Sequence, residues 1–290
     1  MLSLKRGIFH ALVYADIFQY PMTVQEVLRW IPTEKPIAKR TIQKAVQQLV
    51  HEESISFTAP FLVLKKNTPN IGLHAERLVH SQKKWKNAYC VAKILRCIPT
   101  ILFVGVTGSL AMNNAGAEDD IDFCIVAAKG TVWITRFLTT ITVELVAKRR
   151  HPGSINIQDT ICLNMFLSED SLKTEKAEQD VYIAHEVIQM VPMWERKGIE
   201  KRFLSVNSWV KKYYYHAYQE RLALRVQRVK RKPFWEKVLR FLEGPVRTIQ
   251  LRYMAKRRTT EVVTKQIIRF HPKDMRHFVL FTLDKKLHRI

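Results

Sequence analysis

Apolar residues recur every three or four positions through residues 5–18 (Ile8, Leu12, Val13, Ile17), through Val24–Trp30 and through 38–52 (Ile42, Val46, Leu49). That spacing lays one apolar stripe along a helix. Tyr20-Pro21 and Ile31-Pro32 separate the three runs, because the residue before a proline is pushed out of helical backbone. Thr23 with Glu26 three positions on is the pattern of a capping box at the start of the second helix. Residues 54–57 and 61–64 then alternate between apolar and polar, which predicts a small hairpin. A polar linker, 67–71, leads to a long helix over 73–97, with Leu78, Trp85, Ala88, Tyr89, Ala92 and Leu95 as its apolar positions and Pro99 closing it.

The pattern changes at Ile101. Six apolar residues to Val106 read as a buried strand, Gly108-Ser109 turns the chain, a short helix follows over 110–114, and Asp120-Ile121-Asp122-Phe123 begins a second, alternating strand. Residues 131–150 return to helical spacing (Val132, Phe137, Leu138, Ile141, Leu145), His151-Pro152-Gly153 turns, and 157–167 supplies a third strand. Strand, helix, strand, helix, strand around one sheet gives an α/β (α+β) core. A helix over 177–190 follows, and from Phe203 onward the chain reads as helical, with Trp209, Tyr213 and Tyr214 in a first helix and Phe234, Trp235, Phe241 and Leu242 in a later apolar stripe.

The chemistry concentrates in the middle. Alternation on a strand sends Asp120 and Asp122 to one face and Ile121 and Phe123 to the other. Two carboxylates so placed repel unless a cation sits between them, and a hard divalent cation, Mg²⁺ or Mn²⁺, takes one or two carboxylates together with substrate phosphates. Gly108 lets the backbone come close to a ligand, and Ser109 opens the following helix, whose first amides attract anions. A nucleoside triphosphate would then lie between the Gly108-Ser109 turn and a metal on Asp120 and Asp122. At these residues the sequence resembles the DNA polymerase beta-like nucleotidyltransferase superfamily, in its minimal bacterial form. The resemblance rests on Gly108-Ser109 and, after ten intervening residues, Asp120-Ile121-Asp122, and it covers about residues 100–167. It implies a mixed-sheet core and transfer of a nucleoside monophosphate from an NTP to a hydroxyl acceptor. It also implies a third carboxylate on the 157–167 strand, where the inward polar residue is Asn164 and Asp159 falls on the other side. Asparagine can hold a metal or a hydroxyl but is no base. The enzyme reading therefore stands beside a second, a catalytically weak or inactive nucleotidyltransferase fold serving as a DNA-binding regulator or nucleotide sensor.

Around that centre, three short helices and a hairpin over 1–66 resemble a winged helix-turn-helix. Lys39, Arg40, Lys44, Gln47 and Gln48 lie on polar positions of its third helix, suited either to DNA or, as an ordinary exposed face, to a dimerisation or docking module. The core is placed at 73–194 and a basic helical region at 195–290. Charge follows this division: the net is +9 over residues 1–100, −5 over 101–194 and +18 over 195–290. An acidic centre between basic ends suits a metal site flanked by surfaces for a polyanion. The runs Lys230-Arg231-Lys232 and Lys256-Arg257-Arg258, interleaved with Tyr214, Trp235 and Tyr253, suit RNA, single-stranded DNA or an anionic membrane surface. Lys83, Lys84 and Lys86 read as a solvated face, Arg136 as a surface arginine, and the adjacent His185 and Glu186 as a pair that cannot share one metal. The four cysteines lack any CxxC spacing and sit in apolar runs, so they read as buried thiols of a cytoplasmic protein.

Overall fold

The computed structural model describes residues 3–65, 67–151, 153–255, 262–270 and 275–288. The chain begins with α1 (Leu4–Ile17), β1 (Met22–Thr23), α2 (Val24–Trp30), α3 (Lys39–His51) and the hairpin β2 (Ile55–Thr58) and β3 (Phe61–Leu64). The expected capping box is present: the Thr23 hydroxyl accepts from the Glu26 amide, and the Glu26 carboxylate accepts from the Thr23 amide. Ile42, Ala45, Val46 and Leu49 turn one face of α3 inward. β1 joins the hairpin in a three-stranded antiparallel sheet of order β1-β3-β2.

α4 (Pro69–Ile94) starts earlier than its apolar spacing predicts. Pro69 occupies its first turn, where a missing amide hydrogen costs nothing, so the polar stretch read as a linker belongs largely to the helix. There follow β4 (Ile101–Thr107), α5 (Gly108–Ala111), β5 (Ile121–Ala127), α6 (Val132–Val146), β6 (Ile161–Ser168), α7 (Val181–Gln189), β7 (Val191–Glu195), α8 (Ile199–Val206), α9 (Tyr215–Ala223), α10 (Pro233–Arg240), α11 (Glu243–Ala255), β8 (Val262–Val263), β9 (Ile267–Arg269) and α12 (Met275–Leu287). The fold is mixed α/β, with a second, six-stranded sheet of order β7-β4-β5-β6-β9-β8 in which β5 and β6 run parallel and the other neighbours antiparallel.

Three strands of that sheet escape the sequence pattern. β7 contains Pro192 and lies at an edge, where a strand tolerates proline; a boundary drawn between 194 and 195 falls inside it. β8 and β9 are too short to show a period, so the region after 195 is helical only in part and closes the far side of the sheet. α6 also ends four residues before the expected 150. Beyond it the Arg150 amide donates to the Ile161 carbonyl at 2.9 Å and the Ile161 amide to the Lys148 carbonyl at 2.8 Å, so residues 148–150 run beside β6.

The two sheet faces bury different partners. Val104, Val106, Ile121, Phe123 and Ile125 pack with Ala88, Val91 and Leu95 of α4 and with Val132, Trp133 and Val143 of α6. On the other face Leu102, Phe103, Cys124 and Val126 share one cluster with Ala184 and Ile188 of α7, Phe203 of α8, Tyr214 and Ala217 near α9, and Ile8, Leu12, Val27 and Trp30 of the first helices. The N-terminal elements and the sheet therefore share one continuous core. His185 sits within it, stacked on Trp30 at 4.0 Å and on Tyr14 at 4.6 Å between ring centroids.

Burial pushes the His185 imidazole down to about 3. A folded value below the ordinary 6.5 means that folding favours the neutral ring, so the stability this residue contributes is complete above pH 6.5 and is lost as the pH falls toward 3. Urea unfolding should show a loss on the order of 3 kcal/mol on going from neutral pH to about pH 4, and His185→Gln should flatten that slope while lowering stability at neutral pH.

Candidate functional site

Thr107 at the end of β4 pairs with Asp122 near the start of β5, and this register brings the turn after β4 against the acidic strand. Gly108 has φ +69°, and a Cβ there would stand 2.5 Å from Asp122 Oδ2. The left-handed backbone strains any other residue here, and a side chain would have to push the Asp122 carboxylate aside. β5 pairs in parallel with β6, placing Cys162 opposite Asp122. One oxygen each from Asp120 and Asp122 and the Cys162 sulfur lie within 4.8 Å of one another. Arg150 closes the other side, donating from Nη1 to Asp120 Oδ2 at 2.6 Å; the early end of α6 brings it there.

Charge governs the behaviour of this cluster. Burial, and then the Asp120 carboxylate beside it, push Asp122 up to about 7, against the opposing pull of Arg150. Burial and the same two aspartates push the Cys162 thiol well up, so it keeps its proton and donates to Asp122. Glu186 on α7 belongs to this environment too: burial, and then the charge of Asp122, raise it to about 7. Its carboxylate accepts from the Gln189 side chain. Negative charge here exceeds the one arginine that balances it.

The loop between α5 and β5 is held from behind. The Ser109 hydroxyl donates to Asp119 Oδ2 at 2.8 Å, and the Gly116 amide donates to the same oxygen at 3.0 Å. Lys84 of α4 is buried and donates to the Ala117 carbonyl at 3.0 Å, to the Asp119 carbonyl at 2.6 Å and to Asp159 Oδ1 at 2.8 Å. It is a structural ammonium and no part of a solvated face; Lys83 beside it is exposed and pairs with Asp159.

Several expectations change here. Ser109 lies within α5, whose N-cap is Thr107, and its side chain serves Asp119. Asn164 is not the residue paired opposite Asp122. The ladder slips between Asp122 and Cys124, so that Leu163 and Asn164 together oppose Phe123, and Cys162 is the residue facing Asp122. Strict alternation does not survive such a bulge. Asp159 lies before β6, in a left-handed turn at φ +57°. Arg136 donates to Gln250 of α11 and stacks over Phe270 at 5.3 Å, far from any solvated role. His185 is a core residue, and Glu186 next to it, which the sequence offered only as half of that pair, feels the charge of Asp122. Of the cysteines, Cys124 is buried, Cys162 half-buried, and Cys90 and Cys97 are exposed.

Lys39, Arg40, Lys44, Gln47 and Gln48 are all exposed on α3. Tyr214 is buried in the core, while Trp235 and Tyr253 are exposed; Lys256-Arg257-Arg258 lies outside the described residues. Among the described residues no helix is long and apolar enough to cross a membrane. The chain matches no protein-family model, no curated protein and no solved structure.

A methyl group at Gly108 should act on backbone and site together. Gly108→Ala is expected to cost about 1–3 kcal/mol and to displace Asp122. Gly72→Ala, inside α4 where a Cβ meets nothing within 4 Å, should instead stabilise by about 0.5–1 kcal/mol. Urea midpoints of the two variants check this contrast.

Proposed function

We propose that the chain is a metal-dependent nucleotidyltransferase, moving a nucleoside monophosphate from an NTP to a hydroxyl acceptor. One juxtaposition carries the reading: a glycine of left-handed backbone held against Asp122, with Asp120 beside it. The donors suit Mg²⁺ or Mn²⁺. Asp120 and Asp122 offer hard oxygens in one half-buried cluster, and Cys162, neutral and soft, is a poor ligand for either ion. When bound, the ion supplies charge stabilisation at the phosphates.

The protein's own residues then divide the remaining work. Gly108 lets the Asp122 carboxylate close against the turn beside which the phosphates would lie. Glu186, whose carboxyl is raised by burial and by the charge of Asp122, is the candidate to take the proton of the acceptor hydroxyl if the bound hydroxyl comes within its hydrogen-bond reach. The hydroxyl oxygen bonds to the α-phosphorus, the bond to the bridging oxygen of the β-phosphate breaks, and pyrophosphate leaves. Phosphoryl transfer depends mainly on positioning and electrostatics, so a thiol in place of a third carboxylate slows this chemistry without removing its basis. The three helices and three-stranded sheet of residues 1–66 are read as a winged helix, with the exposed face of α3 available to DNA.

A second reading draws on Arg150. Its guanidinium already occupies one side of Asp120, as expected of a fold that senses nucleotide or regulates through DNA without turnover.

Isothermal titration with NTP and Mg²⁺ should show binding that Asp120→Asn with Asp122→Asn abolishes, with a loss of about tenfold or more in affinity; equal binding by both proteins sinks both nucleotide readings. Labelled NTPs incubated with cell extract then separate the two. A labelled acceptor supports the transferase, and tight, salt-dependent duplex binding without transfer supports the regulator.

A further inference from the structure

α10 is mounted with its polar side inward. Glu236 is buried and receives a two-pronged contact from Arg231, with Nη2 to Oε2 at 2.7 Å and Nε to Oε1 at 2.9 Å. The residues pointing away from the protein are apolar: Phe234, Trp235 and Val238, followed by Phe241 and Leu242 just past the helix end, all exposed, with Phe241 at 86%. Their spacing, i, i+1, i+4, i+7 and i+8, gathers them on about one third of a helix circumference. An amphipathic helix normally buries such a stripe; this one presents it to solvent.

The chain around α10 is strongly basic, although Arg221, Arg228 and Arg231 are engaged by Glu200, Glu195 and Glu236. Residues 221–255 contain ten Lys and Arg against two Glu, and neither glutamate is free. Glu236 holds Arg231, and the Glu243 carboxylate accepts from the Trp133 and Ile134 amides at 3.0 and 2.9 Å, tying the start of α11 to the start of α6. Lys232 and Lys237, both exposed, border the stripe.

We propose that α10 docks on an anionic lipid bilayer surface, its aromatic stripe seated among the acyl chains just below the headgroups and its lysines on the lipid phosphates. A bilayer offers an apolar layer directly beneath an anionic one, and that order matches the stripe and its basic border. Single-stranded nucleic acid matches less well, because bases stack on rings but give Val238 and Leu242 nothing to bury against. A second copy of the chain matches least, because a two-fold contact would set this basic border against itself.

Flotation of the full chain with vesicles tests the assignment. The protein should float with phosphatidylcholine vesicles containing about one third phosphatidylglycerol, should stay behind with phosphatidylcholine alone, and should be released by raised salt. Trp235→Ser with Phe241→Ser should lower the partition coefficient by about tenfold or more, and Lys232→Gln with Lys237→Gln should weaken it and reduce its salt dependence. Both pairs lie on the surface, and unchanged urea midpoints would confirm that folding is intact. Absence of binding to the anionic vesicles at low salt overturns the proposal, as does equal flotation of the Trp235 and Phe241 variant. So does a result in which those two substitutions abolish RNA binding or dissolve a dimer while leaving flotation unchanged. Asp120→Asn with Asp122→Asn should float like the parent protein, which keeps this outcome separate from the fate of the transferase reading.

Discussion

Lys84 buries a full positive charge at the side of α4, and the geometry of the acidic centre follows from where its three protons go. They satisfy the Ala117 and Asp119 carbonyls and the Asp159 carboxylate, so the loop between α5 and β5 cannot move without stranding an ammonium group in the protein interior. Breaking a buried ionic contact by removing one partner typically costs about 3–5 kcal/mol. That penalty holds the loop in one conformation. With the Asp119 backbone fixed, its carboxylate is aimed at Ser109 and the Gly116 amide, and Asp120 is delivered one residue later to the mouth of the sheet. A lysine on a helix thus fixes a serine, a glycine turn and an aspartate that it does not touch directly.

The opposite sign prevails a few ångströms away. Asp120 and Asp122 lie together with Cys162 where β5 and β6 pair, Arg150 is placed against Asp120, and the charge of Asp122 is felt at Glu186 on α7. Asp122 and Glu186 both rise to about 7, burial first, then the charge of Asp120 for Asp122 and the charge of Asp122 for Glu186. A fold serving stability alone would spread these half-buried carboxylates apart, because bringing like charges together out of bulk water is a cost. Keeping them is sensible if a cation joins them in the working state, and that is the physical content of the transferase reading.

How far this was legible in the sequence depended on how local the signal was. The capping box of Thr23 and Glu26, the apolar stripe of α3 and the two strands around Gly108 and Asp120 rest on short-range rules, and they stand within a residue or two of their expected bounds. What failed was non-local. Asn164 was placed by alternation, but β6 slips beside Phe123, and the slip is set by strand pairing that no window of residues contains. Lys84 looked like one of three solvated lysines because its three acceptors lie more than thirty residues away. Arg150 was assigned to a helix end, and only the partnership of residues 148–150 with Ile161 shows why it leaves the helix and reaches Asp120. β7, β8 and β9 carry no period long enough to read.

The division of charge along the chain takes its meaning from these contacts. The acidic middle segment is not uniformly acidic at its surface: Glu169 is engaged by Lys197, Asp180 by Arg276 and Glu178 by Arg269, all from the basic region that follows. Part of the C-terminal excess therefore neutralises the centre and fastens the late helices and β9 to the sheet. Lys232 and Lys237, exposed beside α10, belong to the charge not consumed in this way. Counting the sum alone would assign all the positive charge to a distant polyanion. Tracing each carboxylate to its partner separates the cations that build the fold from those left to face something outside it.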